Sequence, residues 1–118
     1  LIDTQKRTWD YAKIEKMLAS LTFAHKPDML LNIPGWPDWM DTDKDGFLDK
    51  DQFDAYAALL ADLVRFVNVE KKFGVRYWEV TNERDDRYFT AFRQNGGWGG
   101  LKDPAKPDRW DELADIYN

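Results

Sequence analysis

The chain has 118 residues, enough for one domain, and 43% of them are hydrophobic, so a packed core is possible. It contains no cysteine, which excludes a disulfide framework and a thiolate metal site, and no apolar run approaches the roughly 18 residues of a transmembrane helix. The net charge of −5 is concentrated in residues 38–54, which hold seven Asp and two Lys, while the rest of the chain balances 15 acids against 15 bases. No basic face emerges, so neither nucleic acid nor membrane is an expected partner, and the acidic loop favours a cation.

The first part of the chain predicts one helix and one strand. A helix is expected from residue 8 to about residue 23, with Thr8 as its N-cap, because apolar residues recur on one face at helical spacing. These residues are Tyr11, Ile14, Leu18 and Leu21. Residues 29–33 form a short apolar run that Pro34 and Gly35 end, a pattern typical of a buried strand in a parallel sheet.

The second helix has the clearest pattern in the chain. It is expected to run from about residue 51 to residue 72, where Gly74 would stop it. Its apolar stripe consists of Phe53, Tyr56, Ala57, Leu60, Leu63, Val64 and Val67. A β-branched and aromatic strand follows at residues 75–81. After the strand come a long loop at residues 84–108 and a last helix, for which Asp108 is the expected cap.

This order of elements favours an α/β fold with a parallel sheet, because helices and nearly continuous apolar strands alternate. We expect strands 29–33 and 75–81 to be adjacent and parallel, joined by a right-handed crossover through the second helix. Two strands cannot close a barrel, so residues 1–118 are expected to form only part of such a domain. The expected partner of the unpaired strand edges is the remainder of the barrel or a second copy of the chain.

The acidic loop has the ligand spacing of an EF-hand calcium loop, with acids at loop positions 1, 3, 5 and 9 and glycine at position 6. These residues are Asp41, Asp43, Asp45, Asp49 and Gly46. Phe47 would give its backbone carbonyl and Leu48 would pin the loop, but Gln52 replaces the bidentate Glu of position 12. We expect a structural calcium ion, because four carboxylates this close repel one another. The alternative is a solvated acidic turn that caps the next helix.

The second predicted strand ends in Asn82 and Glu83. In parallel α/β folds, ligands bind outside the carboxyl ends of the strands. A carboxylic acid near apolar walls has a raised pKa and can protonate a leaving group, and an adjacent amide can hold a substrate hydroxyl. The alternative is that Glu83 is a loop acid in a salt bridge with Arg84 or Arg87. Glu79 is expected to be a buried, hydrogen-bonded structural acid, and the alternative is a catalytic carboxylate.

Three tryptophans are candidate sugar platforms, because they are expected in loops on the same side of the sheet as Glu83. They are Trp36, Trp39 and Trp98. Pyranose rings present C–H faces that stack on flat aromatic surfaces. The alternative for each of the three is ordinary packing in the core or in a loop.

The motif Tyr-Trp-Glu-Val-Thr-Asn-Glu at residues 77–83 resembles the fourth-strand motif of the retaining glycoside hydrolases built on (β/α)8 barrels. Members of the xylosidase and iduronidase type carry a similar Trp-Glu-x-x-Asn-Glu. Residues 9–14 resemble the start of their second helix, residues 29–40 their third strand and the following loop, and residues 110–117 the helix after their fourth strand. The resemblance implies an α/β fold that is part of a TIM barrel, with two parallel strands and three helices in this chain.

The resemblance also implies roles for single residues. In that family the Glu at the position of Glu83 is the general acid/base, and the Asn at the position of Asn82 hydrogen-bonds the sugar 2-hydroxyl. The nucleophile lies on the seventh strand, which this sequence lacks, so we expect no activity from these 118 residues alone. The implied function is retaining hydrolysis of a glycosidic bond in an oligo- or polysaccharide, in an extracellular or periplasmic location. The rival hypothesis is a non-catalytic, calcium-stabilised carbohydrate-binding or assembly module.

Overall fold

Three helices and four short strands make up residues 1–22, 28–82 and 110–117, the residues described by this computed structural model. The strands are β1 (Ile2–Asp3), β2 (Thr8–Trp9), β3 (Leu30–Ile33) and β4 (Tyr77–Val80). The helices are α1 (Tyr11–Thr22), α2 (Phe53–Val64) and α3 (Trp110–Tyr117). Short 3₁₀ turns at Asp38–Met40 and Lys50–Gln52 flank the acidic loop, and a π-helical turn at Arg65–Glu70 extends α2. None of the helices in these ranges is long and apolar enough to span a membrane.

β3 and β4 are adjacent and parallel, which confirms the predicted pairing. Leu30 pairs with Tyr77, and Ile33 pairs with Val80. The N–H of Thr81 extends the ladder by donating to the carbonyl of Ile33 at 2.8 Å. Because the two strands run in the same direction, their carboxyl ends lie at the same edge of the sheet. The chain passes from one strand to the other through α2.

The first helix begins later than predicted, at Tyr11, and Thr8 is not its cap. Thr8 lies in β2, which pairs antiparallel with β1. Asp10 caps the helix instead, because its Oδ1 accepts a hydrogen bond from the backbone N–H of Lys13 at 3.1 Å. The reason is the neighbouring Trp9, which is buried and whose Nε1–H donates to a carbonyl of α2 at 2.7 Å. This anchor favours the extended conformation of the two residues before the cap.

The second helix ends before Gly74, which the sequence predicted as its stop. The π-helical turn is the last helical element and ends at Glu70. The N–H of Phe73 then reaches back to the carbonyl of Val67 at 3.0 Å, and Lys72 between them has a left-handed φ of 55°. Lys72 therefore makes the left-handed turn that is usual at a helix C-terminus. Gly74 also has a positive φ, of 71°, and it redirects the chain towards β4.

The core lies between the helices and the sheet. Its buried members include Ile14, Leu18, Met29, Ile33, Leu48, Tyr56, Leu59, Leu63, Phe66, Val67 and Val75. The predicted stripe of α2 is wrong at Ala57 and Val64, which are exposed, and it omits Leu59 and Phe66, which are buried. The buried residues lie on the face of α2 that packs against Trp9. The π-helical turn adds two successive residues, Phe66 and Val67, to the core.

The predicted last helix is confirmed as α3. Its Ile116 packs against the core, whereas Tyr117 at its end is 59% exposed. A salt bridge between Lys50 and Glu112, at 3.3 Å, connects α3 to the 3₁₀ turn that precedes α2. The loop and the cap predicted at residues 84–108 lie outside the described residues.

The turn between the π-helical turn and β4 is closed by Asn68. Its Nδ2 donates to the carbonyl of Val75 at 2.9 Å, and its Oδ1 accepts from the N–H of the same residue at 2.8 Å. Asn68→Ala should therefore lower the free energy of unfolding by about 1–3 kcal/mol, because it leaves two partly buried backbone groups without partners. Urea denaturation measures this loss. Val69→Ala is the matched control, since Val69 is 65% exposed, and equal unfolding midpoints for the two variants would contradict the prediction.

Candidate functional site

The carboxyl ends of β3 and β4 form one edge, and the candidate site is built there. Beyond β3 the chain continues through Pro34 and Gly35 to Trp36, and beyond β4 it continues through Thr81 to Asn82. Asn82 is exposed, as a residue that contacts a ligand must be. The predicted catalytic Glu83 and the predicted platform Trp98 lie outside the described residues.

Thr81 is the one buried polar residue among those the structure describes, at 5% exposure, and it has a left-handed φ of 62°. A β-branched residue avoids this conformation, at a cost of about 1–3 kcal/mol. The backbone carbonyl before it, from Val80, accepts a hydrogen bond from the Tyr117 hydroxyl at 2.6 Å. The Thr81 hydroxyl is hydrogen-bonded to the same Tyr117 hydroxyl. The chain therefore leaves β4 towards Asn82 through a conformation that its surroundings impose.

Trp36 and Trp39 lie on the β3 side of this edge, and each is partly buried. The ring of Trp36 meets that of Tyr56 edge to face, with centroids 6.3 Å apart, and the Tyr56 hydroxyl donates to the carbonyl of Gly35 at 3.3 Å. These contacts fasten the loop after β3 to α2. Both indoles also pack against the core, so each combines a structural contact with a partly exposed surface.

The open face of the parallel sheet carries a polar pair. Asn32 on β3 and Glu79 on β4 are partners in the register, and the Nδ2 of Asn32 donates to Oε2 of Glu79 at 2.6 Å. The hydrogen bond predicted for Glu79 is therefore present, but the predicted burial is wrong, since Glu79 is only partly buried on this face. The neighbours Leu30 and Tyr77 on the same face are 58% and 49% exposed. Strand alternation places all four side chains on one face of the sheet. Asn82 lies beyond the carboxyl end of β4, at the edge of the same sheet.

The acidic loop brings three of its four predicted carboxylate ligands together. One carboxylate oxygen from each of Asp41, Asp43 and Asp49 lies within 4.8 Å of the others. Asp45 is not part of this group, and its Oδ1 accepts a hydrogen bond from the N–H of Phe47 at 2.8 Å. The side chain of Phe47, the predicted carbonyl ligand, is buried at 6% exposure. The loop thus has a carboxylate cluster at one place and a buried apolar anchor next to it.

Hydrogen bonds hold the two ends of the loop together. The hydroxyl and the N–H of Thr42 donate to Oδ2 of Asp49 at 2.5 and 3.1 Å, and the N–H of Asp49 donates to the carbonyl of Met40 at 2.9 Å. Leu48 is 1% exposed, which confirms that it pins the loop to the core. The hydrogen bonds from Thr42 hold the pKa of Asp49 below its ordinary value of 3.8. Their contribution to stability is therefore present above that value and is lost as the pH falls through the lowered pKa.

One oxygen of the cluster has the properties expected of a cation ligand. Oδ2 of Asp41 accepts from the N–H of Gly46 at 3.0 Å, whereas Oδ1 of Asp41 is buried and has no hydrogen-bond partner. A buried carboxylate oxygen without a partner carries a desolvation cost that a cation would offset. Clustered carboxylates are also the donor set that calcium prefers. The residues present therefore fit calcium, although Gln52 at position 12 offers an amide in place of a bidentate carboxylate.

An apolar cavity of about 460 Å³ lies between β3, α1 and α2. Its walls include Leu1, Ile2, Ile14, Met17, Leu31, Ile33, Leu59 and Leu63. A sugar presents hydroxyl groups that need hydrogen-bond partners, and these walls provide few of them. The cavity reaches the strand-end edge on its β3 side, where Pro34, Gly35 and Trp36 line it, whereas Asn82 is not among its walls. The candidate saccharide site is therefore the strand-end edge, and the apolar interior of the cavity is not part of it.

No protein-family model, curated protein or solved structure matches the chain. Asn82 follows β4, and Trp36 and Trp39 lie in the segment after β3, the neighbouring parallel strand. The last helix was predicted, but the contact of the Tyr117 hydroxyl with Thr81 and Val80 was not, because spacing along the sequence does not reveal a contact between such distant residues.

Proposed function

We propose that the chain is part of a retaining glycoside hydrolase that acts on an oligo- or polysaccharide. The observation that supports this proposal best is the parallel pairing of β3 with β4. This pairing puts Asn82, within a motif that resembles the fourth strand of those enzymes, at the same edge as the loop with Trp36. An exposed amide and partly exposed indoles at such an edge suit a ligand that has both hydroxyl groups and C–H faces.

The proposed chemistry uses two carboxyl groups. Glu83 donates its proton to the glycosidic oxygen while that bond breaks, and a second carboxylate attacks the anomeric carbon to form a glycosyl ester. Glu83 then takes a proton from the water that hydrolyses the ester. Asn82 holds the 2-hydroxyl of the sugar during both steps. The second carboxylate, about 5 Å away in retaining enzymes, belongs to the remainder of the barrel.

We also propose that the acidic loop holds a calcium ion with a structural role, with Asp41, Asp43 and Asp49 as its carboxylate ligands. Asp45 and the carbonyl of Phe47 complete the proposed ligand set. The support for this proposal is the convergence of three carboxylates together with the buried, unpartnered Oδ1 of Asp41. An ion at this place would hold the start of α2 to the loop after β3, since the loop joins the two.

Turnover of aryl glycosides by the full-length polypeptide tests the proposed function. We expect hydrolysis with retention of anomeric configuration, and we expect Glu83→Gln to abolish it, because the amide cannot donate or accept the proton. The rival function is a non-catalytic, calcium-stabilised carbohydrate-binding or assembly module. Saccharide binding without turnover, unchanged in Glu83→Gln, would favour this rival. An extracellular or periplasmic location is part of the proposal, since polysaccharides are met there.

A further inference from the structure

We infer that Thr81 and Tyr117 are positioning residues, which hold the chain in the one conformation that directs Asn82 towards the substrate. The inference rests on the proposed function for the identity of the ligand, a sugar with a free 2-hydroxyl. The conformation itself is a property of the described residues. It depends on three contacts that meet at the end of β4.

The directions of the hydrogen bonds follow from the number of protons available. The Tyr117 hydroxyl has a single proton, and it donates this proton to the carbonyl of Val80 at 2.6 Å. The contact between the two hydroxyl groups must then be a bond in which Thr81 donates and Tyr117 accepts. The N–H of Thr81 is bonded to the carbonyl of Ile33 at 2.8 Å. Thr81 is thus held through its own N–H, its hydroxyl and the carbonyl before it.

Packing alone does not account for Tyr117. The residue is 59% exposed, so its ring adds little to the core, whereas its hydroxyl contacts a residue that is only 5% exposed. A phenylalanine would serve equally well if the ring were the only requirement. The hydroxyl links residues 36 and 37 positions apart in the chain, at the point where β4 ends. It is therefore the hydroxyl that the arrangement requires.

The conformation matters because Asn82 follows Thr81 directly. With a φ of 62° at Thr81, the strand's alternation stops and the chain turns at the residue before Asn82. Without the Tyr117 hydroxyl, a β-branched residue returns to negative φ. The peptide between Thr81 and Asn82 then rotates, and the direction of the Asn82 side-chain amide changes with it.

Nuclear magnetic resonance of the full-length protein tests the conformation without any substrate. In Tyr117→Phe we expect the coupling between the amide proton and Hα of Thr81 to change to that of an extended residue, and the side-chain amide signals of Asn82 to shift. Tyr11→Phe is the matched control, because it removes the hydroxyl of a tyrosine whose ring packs on Phe66 in the π-helical turn instead of on β4. Thr81→Gly combined with Tyr117→Phe should restore the signals of Asn82, since glycine adopts positive φ readily.

Kinetics with paired substrates test the function of the conformation. Tyr117→Phe should lower kcat/KM at least tenfold for a glycoside with a 2-hydroxyl, and should lower kcat/KM of the 2-deoxy analogue by a clearly smaller factor, because the analogue makes no contact with Asn82 in either protein. An equal loss for both substrates would overturn the inference, since it would indicate general damage. An unchanged coupling at Thr81 in Tyr117→Phe would also overturn it. If the wild-type protein hydrolyses no glycoside, the proposed function fails, and the coupling at Thr81 alone decides whether Tyr117 holds Asn82 in place.

Discussion

Glu83→Ala should lower turnover by about 10²–10⁴-fold for glycosides with poor leaving groups, because these need protonation of the departing oxygen in the transition state. Glycosides with good leaving groups should still glycosylate the full-length protein, since their leaving groups depart as anions. They should then stall at hydrolysis of the ester, where Glu83 is needed as the base. Steady-state kinetics across a series of aryl glycosides, with a measured burst of the first product, records both effects.

Azide distinguishes loss of the acid/base from general damage to the site. A small anion enters the space that Glu83 vacates and attacks the glycosyl ester without needing a base, so it should restore turnover of substrates with good leaving groups. Asn82→Ala is the matched control, since it should weaken transition-state binding for substrates with good and with poor leaving groups alike and show no azide rescue. If Glu83→Ala affects all leaving groups equally and azide has no effect, Glu83 is not the acid/base, and the binding-module hypothesis gains support.

The parallel pair and the long helix were predictable because their signals are local. An apolar run ended by Pro34 and Gly35 predicts β3, and a sustained apolar stripe predicts α2, with boundaries that shift only at the ends. The β1–β2 hairpin gave no such signal, because its strands have two residues each. It depends on Trp9, whose hydrogen bond to α2 spans 50 positions of the chain. Contacts of that range cannot be read from spacing.

In the candidate site, too, the features with local signals were predictable and those that depend on distant contacts were not. The spacing of the acidic loop predicted four converging carboxylates, and those of Asp41, Asp43 and Asp49 do converge, because a short loop keeps them close. The convergence of Asp45 was predicted wrongly, since its Oδ1 accepts from the N–H of Phe47 instead. The left-handed Thr81 was not predictable, since its β-branched side chain argues for extended backbone. Its conformation depends on the hydroxyl of Tyr117, a tertiary contact that overrides local preference. Local strain of this kind at a strand end is typical of functional sites.

Calcium should raise the melting temperature of the protein, and Asp43→Ala combined with Asp45→Ala should remove that increase. A ligand at about 100 times its dissociation constant stabilises the folded state by about 2.7 kcal/mol. For a domain of this size that corresponds to a rise on the order of 10 °C. The ion would relieve the repulsion between the clustered carboxylates and give a partner to Oδ1 of Asp41. Calorimetry with excess calcium and with excess chelator measures the difference.

The control variant for the calcium experiment is Asp54→Ala. Asp54 is exposed and lies in the first turn of α2, outside the carboxylate cluster, so removing its charge should leave the calcium increment intact. Magnesium should stabilise the protein less than calcium, because it demands near-ideal octahedral geometry and gives up its water reluctantly. The same melting temperature in calcium and in chelator would contradict the prediction. The acidic loop would then be a solvated turn, held by Leu48 in the core and by the hydrogen bonds between Thr42 and Asp49.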